Sequence, residues 1–222
     1  MSSNDELEVE IIDDDETECN LKFKVIVIGN AFVGKTSLIS KGAKGIFNES
    51  YSPTISFEIL NFIVKINDKV IKLELWDTCG QEAYKSLVSK FYKNSTLAML
   101  VYSIDVKKSF DDIKSWLHEV KSESSPDIKI FLIGNKADLE DEREIQFKDA
   151  KAFAEENGFD LFYETSAKNG LNVKKLFIEA SKLLYKEHLK YKERAQQKID
   201  NIPIPVPVKI NQKKPDKKQG CC

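Results

Sequence analysis

Apolar positions along the chain fall into two rhythms, one of period two and one close to 3.6. Leu21, Phe23, Val25, Val27 and Ile28 mark a buried strand over 21–28, and Ser37-Leu38-Ile39 opens a helix over 35–44. Residues 45–55 have neither period and predict a long loop of the kind that usually carries function. Residues 57–66 and 69–76 alternate apolar with polar on either side of Asn67-Asp68, a hairpin signal. An irregular helix is expected over 83–94. The unbroken run Leu97–Tyr102 predicts a central parallel strand, buried on both faces. Ser109 is expected to cap a helix to 122, with Phe110, Ile113, Trp116, Leu117 and Val120 at helical spacing. A strand over Ile128–Ile133, a helix over 146–157 closed by Gly158, and a short strand Phe159–Tyr163 follow. A last helix, 171–190, has Val173, Leu176, Phe177, Ala180, Leu183 and Leu184 on one face.

Strands alternating with helices predict an α/β fold. The count is a six-stranded, mostly parallel sheet with one antiparallel strand from the hairpin and helices on both faces. In such sheets ligands bind beyond the carboxyl ends of the strands. The turns after strands 21–28, 69–76 and 128–133 are therefore expected to meet at one edge.

The turn after the first strand reads Gly29-Asn30-Ala31-Phe32-Val33-Gly34-Lys35-Thr36, which fits the phosphate-binding P-loop in its required strand–loop–helix setting. Backbone N–H groups of such a loop, aided by the helix N-terminus, surround an anion. Lys35 supplies a point charge for the β/γ-phosphates, and the Thr36 hydroxyl a ligand for Mg²⁺. Asp77, just past its strand, suits Mg²⁺ held through water. The N–H of Gly80 suits the γ-phosphate, and Gln81 beside it suits an attacking water. Thr54 in the long loop offers a second hydroxyl to the metal. Asn135-Lys136-Ala137-Asp138 follows another strand. A carboxylate at Asp138 can accept from both N1–H and the exocyclic amine of guanine, a pair that adenine does not present. Ser166-Ala167-Lys168 would bring backbone to the guanine O6, and Phe47 would pack on the base.

Taken in order, these segments resemble the Ras superfamily of small GTPases and, within it, the Rab family. The resemblance covers about 21–190 and is carried by Gly29–Thr36, Pro53-Thr54, Trp76–Glu82, Asn135–Asp138 and Thr165–Lys168. The Rab likeness rests on Ile55-Ser56-Phe57-Glu58, Lys72–Trp76, Tyr84-Lys85-Ser86-Leu87, Phe91-Tyr92-Lys93-Asn94 and the terminal Cys221-Cys222. It implies a P-loop NTPase G domain over 21–190 that hydrolyses GTP to GDP slowly on its own. By the resemblance, Asn30, Ala31, Phe32, Val33, Gly34, Lys35, Thr36, Ser37, Phe47, Thr54, Gly80, Asn135, Lys136, Asp138, Ser166, Ala167 and Lys168 hold the nucleotide. Thr36, Thr54 and Asp77 hold Mg²⁺, and Gln81 is catalytic. Residues 45–57 and 78–94 become switches ordered by the γ-phosphate, through which effectors, an exchange factor (GEF) and a GTPase-activating protein (GAP) act. A Rab escort protein and a GDP-dissociation inhibitor (GDI) are further partners; no nucleic-acid partner is expected. The implied role is a switch in vesicle-mediated protein transport.

Four features depart from the family pattern. Ala31 and Phe32 stand where the family is often small or glycine, Cys79 stands for the usual alanine, and the Gly-Val-Asp around Ile55 is missing. A bulky Phe32 beside the phosphates raises an alternative, a binding module whose nucleotide cycle Phe32 impairs. An ATP-using P-loop kinase fits less well, because Asn135–Asp138 suits guanine.

The charge of the chain sits in its ends. Residues 1–20 carry nine acids and no Lys or Arg, which predicts an acidic, disordered arm. Residues 190–222 carry nine bases against three acids and predict a flexible basic tail over 191–222. Its Ile202–Val208 stretch, with three prolines, is expected to be an extended spacer. The final residues are not C-a-a-X, since position 219 is Gln. Paired terminal cysteines, however, are where Rabs carry two geranylgeranyl groups, so prenylation at Cys221 and Cys222 is expected, with the lysines adding attraction to an anionic leaflet. No apolar run approaches the roughly 18 residues of a membrane span, and the acidic start is unlike a signal peptide. The four cysteines match neither a zinc site nor a disulfide framework. The expected place is the cytoplasmic face of an intracellular membrane, with a cytosolic pool.

Overall fold

The structure is a computed structural model that describes residues 7–12, 17–49, 58–77 and 91–200, with side chains to 197. Its strands are β1 (Val9–Ile12), β2 (Leu21–Ile28), β3 (Glu58–Ile66), β4 (Lys69–Asp77), β5 (Leu97–Ser103), β6 (Lys129–Asn135) and β7 (Leu161–Glu164). Its helices are α1 (Lys35–Lys44), α2 (Lys107–Asp111), α3 (Ile113–Glu123), α4 (Phe147–Asn157) and α5 (Val173–Asp200). The strands form one sheet in the order β1-β3-β4-β2-β5-β6-β7. β4, β2, β5, β6 and β7 pair in parallel, and β3 alone runs against the rest, antiparallel to both β1 and β4.

Side chains alternate across the sheet and fill a core on each face. Val25, Val27, Leu73, Leu75, Met99, Val101, Phe131 and Ile133 point one way, where Leu38 and Ile39 of α1 and Val173, Leu176, Phe177 and Ala180 of α5 cover them. Ile26, Ile28, Ala98, Leu100, Tyr102, Ile130 and Leu132 point the other way, under Ile113, Leu117 and Val120 of α3 and Ala150 and Ala154 of α4. The near-complete burial of β5 (every residue from Leu97 to Ser103) is the physical reason for its unbroken apolar run.

Several expectations need correction. Among the described residues the sheet has seven strands, not six. The extra one, β1, comes from the acidic stretch expected to be disordered. Leu7, Val9 and Ile11 face the core, and the chain pairs in register from Val9↔Ile66 to Ile12↔Ile63. The predicted helix 109–122 is two helices that break at Asp112. Ser109 is not a cap; it lies buried inside α2, with its Oγ donating to Val106 O at 2.6 Å and accepting from Ser103 N at 3.0 Å. The last helix runs on to Asp200, ten residues past its predicted end and into the stretch expected to be flexible. Residues 83–90 of the predicted irregular helix lie outside the described residues. The chain divides into two compact units after Glu187.

Candidate functional site

β2 ends at Ile28, β4 at Asp77, β6 at Asn135 and β7 at Glu164, and all four run in the same direction. The loops that follow β2, β6 and β7 therefore lie along one edge of the sheet, with Asp77 at the end of β4 on that same edge. The loop after β2 turns sharply into α1. Gly29 adopts φ 144°, and a Cβ there would lie 2.1 Å from the carbonyl oxygen of Val101. Gly34, the residue before α1, adopts φ 90°, and a Cβ there would lie 2.5 Å from Asn135 Nδ2. Both conformations and both contacts require glycine, which is why the motif has them.

Lys35 begins α1 and is buried at 6% exposure. Its Nζ donates to the carbonyls of Gly29 at 2.9 Å and Asn30 at 2.7 Å. The ammonium is thus held at the loop itself, where an anion bound by the loop amides would meet it. One residue on, Thr36 Oγ1 donates to Asp77 Oδ2 at 2.6 Å. Asp77 is 1% exposed, and its second oxygen, Oδ1, is buried with no hydrogen-bond partner among the described residues. Burial pushes the Asp77 carboxyl above its ordinary pKa; the Thr36 hydrogen bond and the Lys35 charge pull it back, and the Glu58 charge pushes it further up. An orphaned carboxylate oxygen beside a hydroxyl and a phosphate cradle fits a small hard cation such as Mg²⁺.

Asn135 ties three segments together. Its Nδ2 donates to Val33 O at 2.9 Å and lies 3.3 Å from Gly34 O, and its Oδ1 accepts from Thr165 Oγ1 at 3.2 Å. Ala137 N also donates to Thr165 O at 3.0 Å. Lys136 takes φ 62° and places its ammonium 3.7 Å from Asp105 Oδ2. Asp138 Oδ1 accepts a short hydrogen bond from Ser166 Oγ, which itself accepts from Asn169 N at 3.2 Å. Ala167 is buried and Lys168 exposed. A half-buried carboxylate, fixed by one oxygen and flanked by an ordered turn, can receive the two N–H groups of a guanine edge.

The structure therefore brings Asn30, Ala31, Phe32, Val33, Gly34, Lys35, Thr36, Ser37, Asp77, Asn135, Lys136, Asp138, Ser166, Ala167 and Lys168 to one sheet edge. Phe47 is half-buried, two residues past Gly45 at the carboxyl end of α1. Phe32 is 65% exposed at φ 66°. Thr54, Gly80 and Gln81 lie outside the described residues, as do Cys79, Cys221 and Cys222. Three residues that motif reading missed also bear on the site. Asp112 and Trp116 hydrogen-bond the side chain of Asn30, and Arg143 pairs with Glu164 directly before Thr165. No short-range pattern marks them, because their partners are distant in sequence.

A glycine-bounded loop between strand and helix, with its lysine and its hydroxyl–carboxylate pair, defines a P-loop nucleotide-binding protein of the α/β class. Comparison with known proteins narrows this. The Ras family model matches residues 24–186. The chain is 37% identical to the Ras-related protein Rab11B of Nicotiana tabacum over 212 residues, which is 93% of this chain and 96% of that relative. The chain belongs to the Ras family; it is a Rab-like small GTPase, an enzyme that hydrolyses GTP. GTPases of this family work with GTP, GDP and Mg²⁺.

Proposed function

We propose that this Rab-like GTPase is a GTP/GDP-regulated switch that recruits effectors in vesicle-mediated intracellular protein transport. The observation that carries the nucleotide half of this reading is the convergence of Lys35, the Thr36–Asp77 pair and the Asp138–Ser166 pair on one edge, tied by Asn135. In this reading Lys35 and the loop amides bind the β/γ-phosphates. Thr36, Thr54 and Asp77 hold Mg²⁺. Asp138 selects guanine with Ser166, Ala167 and Lys168 beside it, and Gln81 positions the attacking water. The trafficking half is supported by the likeness to a Rab protein over nearly the whole chain. Effectors, a GEF and a GAP would act through the two switch segments, with a Rab escort protein and a GDI handling the lipidated form.

The test is a single-turnover assay on protein loaded with GTP and Mg²⁺. Bound GTP should convert slowly to GDP, and Gln81→Leu should hold the GTP form. Equal turnover in both proteins would remove Gln81 from the mechanism. Failure of the wild type to retain guanine nucleotide would favour the alternative of a binding module impaired at Phe32, whose exposed ring stands in a left-handed conformation two residues before Gly34.

Among the described residues no helix is long and apolar enough to cross a membrane. Attachment is proposed through prenyl groups on Cys221 and Cys222, from the cytoplasmic face and with a cytosolic pool. Deleting residues 221–222 should move the protein into the cytosolic fraction, because two lipid chains are what makes anchoring stable. A truncated protein that stays on membranes, or an intact terminal peptide of unmodified mass from native cells, would refute the lipid anchor.

A further inference from the structure

We propose that Asn30, Asp112 and Trp116 form a clamp that fixes the phosphate-binding loop on helix α3, with Asn30 acting as a positioning residue for the nucleotide. This rests on the reading of Gly29–Thr36 as the phosphate cradle. The side chain of Asn30 is bonded to Asp112 and Trp116 at the start of α3. Its Nδ2 donates to Asp112 Oδ2 at 2.7 Å, and its Oδ1 accepts from Trp116 Nε1 at 2.8 Å. The orientation of the amide is unambiguous, since an indole N–H only donates and a carboxylate only accepts. The other carboxylate oxygen of Asp112 is taken by Lys108 Nζ. That ammonium, followed by the Asn30 amide, holds the Asp112 carboxyl below its ordinary pKa.

The clamp has a firm base and a sensitive load. Asp112 and Trp116 stand at the start of α3, which Ile113, Leu117 and Val120 anchor in the core. The backbone carbonyl of Asn30 is one of the two that hold Lys35 Nζ. An ammonium has three N–H donors, and two are committed to these carbonyls. Where Asn30 sits therefore helps to set where the Lys35 ammonium lies. Moving the amide moves the lysine that meets the phosphates, without any contact between Asn30's side chain and the ligand.

A charge exchange tests this. Asn30→Asp sets a carboxylate against that of Asp112 and should speed dissociation of a fluorescent GDP by about 10–100-fold, the scale of losing a hydrogen bond to a charged group. The double variant Asn30→Asp, Asp112→Asn rebuilds the geometry with donor and acceptor exchanged: the new carboxylate accepts from the new amide and from Trp116. It should restore dissociation to within about threefold of wild type. Trp116→Phe, which keeps a ring and removes the N–H, should give an intermediate increase. Hydrogen exchange distinguishes positioning from general loosening. In Asn30→Asp the amides of Ala31–Lys35 should exchange faster while those of Leu97–Val101 in β5 do not. Dissociation within twofold of wild type in Asn30→Asp, no recovery in the double variant, or equal loosening of β5 would each overturn the clamp. A wild type that binds no GDP would overturn the nucleotide reading itself, a different failure.

Discussion

Asp138→Asn is expected to lower affinity for GDP and GTP by about 10³–10⁵-fold and to give the protein measurable affinity for xanthine nucleotides. The carboxylate of Asp138 offers only acceptors, and a guanine edge offers two donors, N1–H and the exocyclic amine. An amide offers one acceptor and one donor. Turned either way, it sets an N–H against an N–H and leaves a donor of the base unpaired against a half-buried side chain. Discrimination of this kind is large because the unpaired group forfeits its hydration as well as its partner. Xanthine carries a carbonyl where guanine carries the amine, so the amide's donor finds an acceptor there. The prediction depends on Asp138 being held in place, and it is. Ser166 Oγ donates to one of its oxygens, and Asn169 N fixes Ser166 in turn. Asparagine is close in volume, so the turn itself should survive. Titration calorimetry with GDP and xanthosine diphosphate reads the outcome directly. Similar GDP affinity in variant and wild type would mean that Asp138 does not read the base.

The parts of the fold that were legible from sequence are those in which local pattern and global packing agree. β5 reads as a central strand because both its faces are covered, and the β3–β4 hairpin reads from alternation broken at Asn67-Asp68. β1 was hidden in plain view. Leu7, Val9 and Ile11 alternate with Glu8 and Glu10 as an edge strand should, but nine acids in twenty residues outweigh five residues of alternation. Those glutamates suit an edge, where charge discourages further pairing. The break at Asp112 was not legible because Phe110, Ile113, Trp116, Leu117 and Val120 keep helical spacing straight through it. At the site, the motifs were legible because each is a short run beside a strand end. The side-chain partners were not: Asn30 meets residues 82 and 86 positions away, and the chain brings them together only through the order of the sheet.

Arg143 illustrates the same limit and carries the largest expected effect on stability. Nothing in its neighbourhood marks it as more than a surface arginine, yet its side chain is only 9% exposed. All five of its N–H donors are used. Two go to Glu164, at 2.7 and 2.8 Å; two go to Glu140, at 2.9 and 2.7 Å; and one goes to Ile145 O, at 2.8 Å. The two carboxylates are not equivalent. The side chain of Glu140 is 67% exposed, so water screens its ion pair and its loss should cost little. Glu164's is 10% exposed, and a carboxylate left there without its guanidinium cannot recover its hydration. Arg143→Ala should therefore destabilise the protein by about 3–5 kcal/mol, against about 5–15 kcal/mol for a typical whole domain. Arg143→Lys should recover only part of this, because an ammonium cannot present the paired fork that both carboxylates occupy. Denaturant unfolding at one saturating GDP concentration, with Glu140→Ala as the control, measures the difference. A cost for Arg143→Ala no larger than that of the control would show that Glu164 is solvated after all. The consequence should reach the site as well. Glu164 is the last residue of β7, its carbonyl accepts from Asn172 Nδ2 at 2.8 Å, and the next residue, Thr165, donates to Asn135. Loosening Glu164 frees the strand end from which Thr165 and Ser166 depart. GDP dissociation from Arg143→Ala should therefore quicken even at denaturant concentrations where the variant remains folded, whereas Glu140→Ala should leave it unchanged.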